Sequence, residues 1–233
     1  MGDFLNNEIE RKTKVSNEIL KNLFINYDPL QIKFFLMVLN KAVSSHWAKT
    51  NDNNRDEIID YDSTLIYLPL DFIKKYKGKK HLTKSEISDI MFSLHIVFKL
   101  RDNDGHIKTL STVDEIIFEN EKDRFLIALN ENAMDYLVLI SDNYSCLDLN
   151  LLKDLKGKYE IGIYIIYCMC KNLTKNKYFT IEHLKDFFNV KGSTNDLLKY
   201  IRKSLLTLEK KGLCIGISTQ KRGTKIQTVL FKF

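Results

Sequence analysis

The stretch that decides the fold is Ser193–Phe233, STNDLLKYIRKSLLTLEKKGLCIGISTQKRGTKIQTVLFKF. Apolar residues recur three and four positions apart through its first half, which predicts an amphipathic helix from Thr194 to Lys211. These residues are Leu197, Leu198, Ile201, Leu205 and Leu208. Ser193 or Thr194 can cap the start of this helix, and Gly212 ends it. The chain therefore enters its last segment directly after a helix with one apolar face.

The remainder of this stretch predicts a β-hairpin. Its strands are Leu213–Ser218 and Lys225–Phe233, and Lys221–Thr224 forms a basic turn before the second strand. The preceding residues predict, in order, a long helix at Leu149–Lys171, a short strand at Tyr178–Thr180 and a short helix at Ile181–Phe188 capped by Thr180. The order of helix, short strand, helix, helix and hairpin is that of a winged-helix domain, which is built around a helix-turn-helix.

The same order of elements is predicted once before, in the first part of the chain. Its first predicted elements are a helix at Val15–Tyr27, a helix that starts at Asp28-Pro29 and has its apolar body at Ile32–Val43, a strand at Leu65–Leu70, and a short helix that Asp71 caps and that ends near Tyr76. They are followed by a helix at Lys84–Lys99 opened by a Thr83/Glu86 capping box, strands at Ile107–Glu119 and Arg124–Leu129, and a helix at Glu131–Leu139. We therefore expect an α+β chain of two tandem winged-helix domains. The expected boundaries are a flexible amino terminus at 1–14, a first domain at 15–140, a linker at 141–150 and a second domain at 151–233.

Composition excludes several classes of protein. The 233 residues are 44% hydrophobic and include 14 Phe and 11 Tyr, too many for a disordered chain. No apolar run approaches the ~18 residues of a membrane span, and the amino terminus lacks the pattern of a secretory signal. The four cysteines show no paired spacing of a zinc site. We therefore expect a cytoplasmic protein with no membrane association, no metal and no cofactor.

Charge is distributed unevenly along the chain. Residues 150–233 carry 17 Lys and Arg against 6 Asp and Glu, whereas residues 1–149 carry 19 against 24. A strongly cationic region attracts polyanions, because binding releases their counterions. A solvated lysine-rich surface is the alternative interpretation. The confinement of the excess to one region favours a nucleic-acid partner.

The helix and hairpin of the second domain carry the residues expected to contact duplex DNA. Asn195, Lys199 and Arg202 recur at i, i+4 and i+7, with Lys203 beside them. Asn and Arg can read adenine and guanine edges in a major groove, while lysines neutralise phosphates. The turn adds a second set of contacts, Lys221, Arg222 and Lys225. The alternative is a solvated polar face on a structural helix.

A second, weaker phosphate-contacting surface is expected in the first domain. Lys84 and Ser88 lie outward on the predicted helix, and Lys79 and Lys80 precede it. The domain around them is net acidic, so a solvated surface without a DNA role is an equal alternative.

Signatures of catalysis are missing from the sequence. There is no GxxxxGK[ST] loop, no GxGxxG after a strand and no HExxH, and the five histidines are scattered. Tyr164 and Tyr167 lie one helical turn apart, as paired tyrosines of a nickase would, but they sit within the apolar run IYIIYCMC and are expected to pack in the core. We therefore expect no catalytic residues.

Four stretches resemble the theta-type plasmid replication initiators, a family with two winged-helix domains that bind iterons. They are SNEILKNLFINYDPLQIKFFLMVLNKA, IYLPLDFIKKY, LKGKYEIGIYIIYCMCKN and KRGTKIQTVLFKF, and the resemblance extends from Val15 to Phe233. One departure is SLLTLEKKGLCIGI, which lacks the acidic-Ile-Asn run that many relatives show before the hairpin.

The resemblance implies an initiator that binds directly repeated origin sites as a monomer and represses its own promoter as a dimer. It implies that the carboxy-terminal domain reads bases and that the amino-terminal domain contacts backbone and forms the dimer interface. A host replication initiator and the replicative helicase are the implied protein partners. Two alternatives are a transcriptional regulator without a replication role and a nicking-type initiator enzyme.

Overall fold

The chain folds into two compact units, Met1–Asp154 and Leu155–Phe233. The structure, a computed structural model, describes residues 12–50, 64–76, 82–94, 97–101, 106–137, 143–171 and 177–233. Both units combine helices with small antiparallel sheets. The expected α+β class is confirmed.

In unit 1 the first and last of the described strands pair with each other. Its elements are β1 (Lys12–Ser16), α1 (Asn17–Asn26), α2 (Pro29–Thr50), β2 (Leu65–Pro69), α3 (Leu70–Tyr76), α4 (Lys84–Phe92), β3 (Val97–Arg101), β4 (Ile107–Ser111), β5 (Val113–Glu119), β6 (Arg124–Leu129), α5 (Met134–Leu137), β7 (Tyr144–Asp148) and α6 (Leu149–Asp154). Strand β1 runs antiparallel to β7, with Ser16 opposite Tyr144 and Lys12 opposite Asp148.

Helix α2 supplies much of the core of unit 1. Asp28 caps its start, because its Oδ1 accepts hydrogen bonds from the backbone N–H groups of Leu30 and Gln31 at 2.7 and 2.9 Å. Every residue from 34 to 40 is buried. A helix that is apolar on all sides belongs inside a protein, so the other elements of unit 1 pack around it.

The described residues of unit 2 form six helices and strands. They are α7 (Lys158–Cys170), β8 (Lys177–Thr180), α8 (Ile181–Phe187), α9 (Thr194–Glu209), β9 (Gly216–Arg222) and β10 (Lys225–Lys232). The Phe188 ring packs directly on α7 at Gly162, where an added Cβ would lie only 2.2 Å from Phe188 Cε1. The side chains of Val229 and Phe231 are fully buried beneath the sheet.

The three-stranded sheets of the two units have the same strand order. In unit 1 the order is β2-β6-β5, and in unit 2 it is β8-β10-β9, so the last strand is central in both. Tyr67 on β2 lies opposite Leu126, and Tyr178 on β8 lies opposite Leu230. Each tyrosine stands three residues before the helix that follows its strand. The two units therefore share a path of strand, helix, helix and hairpin, into which unit 1 inserts the paired strands β3 and β4 after its second helix.

Two predicted helices were wrong in their extent. The helix opened by Thr83 ends at Phe92, and Val97–Arg101 forms strand β3 against β4. The predicted helix Leu149–Lys171 is two helices, because the chain leaves helical geometry at Leu155–Gly157. Glu160 Oε2 accepts a hydrogen bond from the Lys156 N–H at 2.9 Å, which ties the first turn of the second helix to the residue before its Gly157 N-cap.

Four expectations, about the terminus, the linker and two strands, also change. Residues 12–14 of the expected flexible terminus lie in β1, and residues 144–148 of the expected linker lie in β7, because these segments satisfy each other's backbone hydrogen bonds. Residues 1–11 and 141–142 lie outside the described residues. The expected strand Ile107–Glu119 is interrupted at the buried Thr112. Strand β9 is shifted to Gly216–Arg222, so Lys221 and Arg222 belong to a strand.

Candidate nucleic-acid interface

Helix α9 is anchored at its start and buried along one side. Ser193 Oγ accepts a hydrogen bond from the Asp196 N–H at 3.1 Å and donates one to Asp196 Oδ2 at 2.7 Å. Leu197, Ile201 and Leu208 are at most 2% exposed on its inner side. The burial leaves the opposite side of a long helix in solvent.

That opposite side carries the four residues that sequence predicted for it. Asn195, Lys199, Arg202 and Lys203 are all exposed. The spacing of 195, 199 and 202 places them along one face of the helix. The structure therefore brings one amide and three cations together on a surface that a DNA groove could receive.

The β9–β10 hairpin presents the second predicted cluster. Lys221, Arg222 and Lys225 are all exposed, and Arg222 lies directly opposite Lys225 in the strand register. Gly223 closes the turn with φ of +63°, a backbone geometry that favours glycine. The tip of this hairpin is therefore a small cationic projection.

The cations of α9 and of the hairpin are not neutralised locally. Among the described residues, none of the ion pairs involves Lys199, Arg202, Lys203, Lys221, Arg222 or Lys225. Side chains that are charged, exposed and unpaired can exchange their counterions for phosphates at little structural cost. This electrostatic state suits a polyanionic partner.

An aromatic stack on the flank of α9 was missed by sequence reasoning. The rings of Tyr200 and Tyr159 stack with centroids 5.2 Å apart and an interplanar angle of 11°. Tyr159 also contacts Phe188 at 5.0 Å. Burial raises the pKa of the Tyr159 phenol, and the nearby Tyr200 and Asp196 raise it further. This stack joins α7 to α9 through two residues that are 41 positions apart in the sequence, so no local sequence pattern predicts it.

The predicted DNA contacts of unit 1 are in a different state. Lys84 Nζ lies 2.8 Å from Asp123 Oδ1 and 4.5 Å from the centroid of the Phe118 ring. Ser88 Oγ donates a hydrogen bond to the backbone oxygen of Lys84 at 3.0 Å. Both side chains are thus engaged within unit 1. Lys79 and Lys80 lie outside the described residues.

The β5–β6 hairpin of unit 1 is also less cationic than the β9–β10 hairpin of unit 2. Glu119 accepts a hydrogen bond from the Arg124 guanidinium, and this bond lowers the pKa of the Glu119 carboxyl. Lys122 Nζ lies 3.4 Å from the same carboxylate. Glu121 and Asp123 add two more carboxylates at the turn. Only unit 2 combines an unpaired cationic helix face with a cationic hairpin tip in the described residues.

The residues that raised the question of catalysis lie in or against the core. Tyr164 is 2% exposed, and Tyr167 packs edge-on against Phe233 at 5.6 Å. Cys168 and Cys170 are buried, and burial raises the pKa of the Cys170 thiol. No set of three His, Cys, Asp or Glu residues within the described ranges is placed to hold a metal. In the part of the chain that the structure describes, no helix combines the length and the apolar character needed to cross a bilayer.

Comparison with known proteins supports the fold. No family model matches the sequence, and no curated protein matches it. Among solved structures, the chain is similar to the Pi initiator protein in complex with iteron DNA, with a TM-score of 0.67 and 14% sequence identity. The likeness covers 95% of this chain and 96% of that chain. Nearly the whole chain therefore shares the fold of that initiator.

Proposed function

We propose that this chain is a plasmid replication initiator that binds directly repeated sites on duplex DNA. The observation that carries the proposal is that unit 2 presents both a cationic face on α9 and a cationic hairpin tip, with no ion pair to either among the described residues. The similarity in fold to an initiator complexed with iteron DNA supports it over 95% of the chain.

In this proposal, α9 lies in the major groove. Arg202 donates two hydrogen bonds to guanine, and Asn195 pairs in the same bidentate manner with adenine. Lys199 and Lys203 neutralise phosphates at the groove edges, which position the helix without reading sequence. Lys221, Arg222 and Lys225 contact the backbone or an adjacent minor groove from the hairpin.

We propose that both units are winged-helix domains with different tasks. Their shared path of strand, helix, helix and hairpin supports this assignment. The second supplies most of the affinity, because it carries the excess of positive charge. The first adds contacts on the same chain, which raises the effective concentration of the second at the site.

The family resemblance extends the proposal to regulation and partners. A dimer would repress the initiator's own promoter at an inverted repeat, with unit 1 forming the interface. A host replication initiator and the replicative helicase would be recruited in the cytoplasm. The binding itself would need no metal, cofactor or strand cleavage.

Binding is tested with the purified full chain and the DNA that flanks its gene. We expect footprints on direct repeats of ~20 base pairs, since spacing by helical turns follows from docking geometry. Affinity should fall steeply with salt as phosphate contacts are lost. Salt-insensitive binding, or relaxation of supercoiled plasmid with a divalent metal, would overturn the proposal.

A replication assay separates an initiator from a regulator. The flanking repeats are cloned on a plasmid without its own origin, and the chain is supplied in trans. Maintenance of the plasmid by the wild type, and its loss with Arg202→Ala, is expected of an initiator. Repression of a reporter without plasmid maintenance would instead identify a transcriptional regulator. Lys232→Ala, an exposed cation at the far end of β10, is the matched control.

A further inference from the structure

The 9 residues of α4 align in position with the start of the 16-residue α9. Each begins after a hydroxyl cap, Thr83 in α4 and Ser193 in α9, that binds the backbone N–H three residues on. An acidic residue stands at that third position in both helices. The inner residues then match, Ile87 with Leu197 and Met91 with Ile201, and all four are at most 2% exposed. The two helices therefore present corresponding outer faces.

The outer face of α4 has a different chemistry from that of α9. Where α9 presents Asn195, Lys199 and Arg202, α4 presents Ser85, Asp89 and Phe92. All six side chains are exposed. At the position where α9 carries the Arg202 guanidinium, α4 therefore carries the Phe92 phenyl ring.

Phe92 is exposed on one side and packs against a core residue on the other. Its side chain is 46% exposed, and its ring packs edge-on against the fully buried Phe125 ring at 6.1 Å and 72°. An isolated exposed aromatic residue would mean little. Phe92 stands on the outward face of α4, at the position where α9 carries Arg202, the residue proposed above to read a base. The Lys84–Asp123 ion pair joins this helix to the β5–β6 hairpin.

An apolar ring in a major groove has one favourable partner on the base edges, the C5-methyl group of thymine. Resting on the function proposed above, we propose that Phe92 is a specificity-determining residue of unit 1 that packs against a thymine methyl group. The carboxylate of Asp89 can accept a hydrogen bond from a cytosine amino group on the same face. Unit 1 therefore reads pyrimidine edges, while α9 reads purines.

The test replaces thymine by 2′-deoxyuridine, which removes the methyl group and leaves the Watson–Crick pair intact. A specific duplex is first selected from a randomised library with the full chain, and each thymine is then replaced singly. Loss of one buried methyl contact should weaken wild-type binding about fourfold at one or two positions. Phe92→Ala should bind thymine and deoxyuridine duplexes equally, and Phe92→Leu should retain part of the discrimination.

Tyr67→Ala serves as the matched control, because Tyr67 belongs to unit 1 and is also 46% exposed but stands on the open face of the sheet. It should leave the deoxyuridine effect unchanged, and circular dichroism confirms that each variant folds. Two results would overturn the role of Phe92 and leave the proposed function standing. One is wild-type affinity that no deoxyuridine substitution lowers, and the other is a loss of affinity with deoxyuridine that persists in Phe92→Ala. Failure of the library to yield any specific duplex would instead overturn the proposed function.

Discussion

Lys84 Nζ and Asp123 Oδ1 lie 2.8 Å apart, and this ion pair joins the first residue of α4 to the turn between β5 and β6. The sequence placed Lys84 on a surface for phosphates. In the structure the Asp123 carboxylate lies beside the Lys84 ammonium group, whose nitrogen is 4.5 Å from the centroid of the Phe118 ring. The corresponding residue of α9 is the uncharged Thr194. In unit 1, Lys84 thus connects α4 to the β5–β6 hairpin.

Replacement of Lys84 by alanine should therefore change DNA affinity little. Both partners of the ion pair are about half exposed, at 48% and 51%, so its loss should cost at most about 1 kcal/mol of stability. Titration of the specific duplex at several salt concentrations measures the effect. A decrease in the salt slope as large as that of a phosphate-contacting lysine would show that Lys84 leaves Asp123 to bind DNA.

Arg202→Ala should weaken binding to the specific duplex by about 1–3 kcal/mol and relax the base preference at one position. The reason is that a bidentate donor pair is lost while the buried side of α9 is untouched. Competition with single-base variants of the duplex gives the preference profile. An unchanged profile and affinity would mean that this face of α9 does not read bases.

Lys199→Ala and Lys221→Ala should weaken binding to all sequences nearly equally. Each change removes one contact to a phosphate, so the slope of log affinity against log salt should decrease in magnitude by about one unit. Equilibrium binding to specific and random duplexes, measured between low and moderate salt, checks both effects. A loss confined to the specific duplex would assign base reading to these lysines.

Arg222→Ala distinguishes two ways in which the hairpin tip can bind. Insertion of Arg222 into a narrow minor groove would make its loss largest on A·T-rich flanking sequence. A simple phosphate contact would give the same loss on every flank. Duplexes that differ only in their flanks measure the difference. We expect the selective outcome, because the adjacent Gly223 turn and the opposing Lys225 hold Arg222 at the tip.

Gly162→Ala should destabilise unit 2 by about 1–3 kcal/mol, since a Cβ there would lie 2.2 Å from the Phe188 ring and the core would have to shift. Denaturant unfolding of the full chain measures the change. Gly157→Ala is the control, because no atom lies within 4 Å of its Cβ position and its φ of −104° is open to any residue. Equal effects of the two substitutions would contradict the packing of Phe188 on α7.

Several features of this chain could be predicted from the sequence because their causes are local. The capping box of Thr83 and Glu86 and the cap at Ser193 depend on groups three residues apart, and the structure has both. The apolar stripe of α9 likewise predicted which of its sides is buried. The α+β class followed from these signals. The uneven charge could be counted directly.

Other features depend on contacts between distant residues, and only the tertiary structure decided them. Ser145 Oγ donates a hydrogen bond to Asn17 Oδ1 at 2.6 Å, between residues 128 positions apart in the sequence. Next to this bond, β1 pairs with β7, so parts of the expected flexible terminus and of the expected linker form a two-stranded sheet. The Tyr159–Tyr200 stack and the Lys84–Asp123 ion pair are likewise formed across folded elements. The correspondence of Phe92 with Arg202 rests on the caps of both helices and on the burial of their matching inner residues. The sequence by itself determines which side chains lie on each face of a helix or hairpin. Three-dimensional packing determines which of their charges are neutralised and which remain free for a partner.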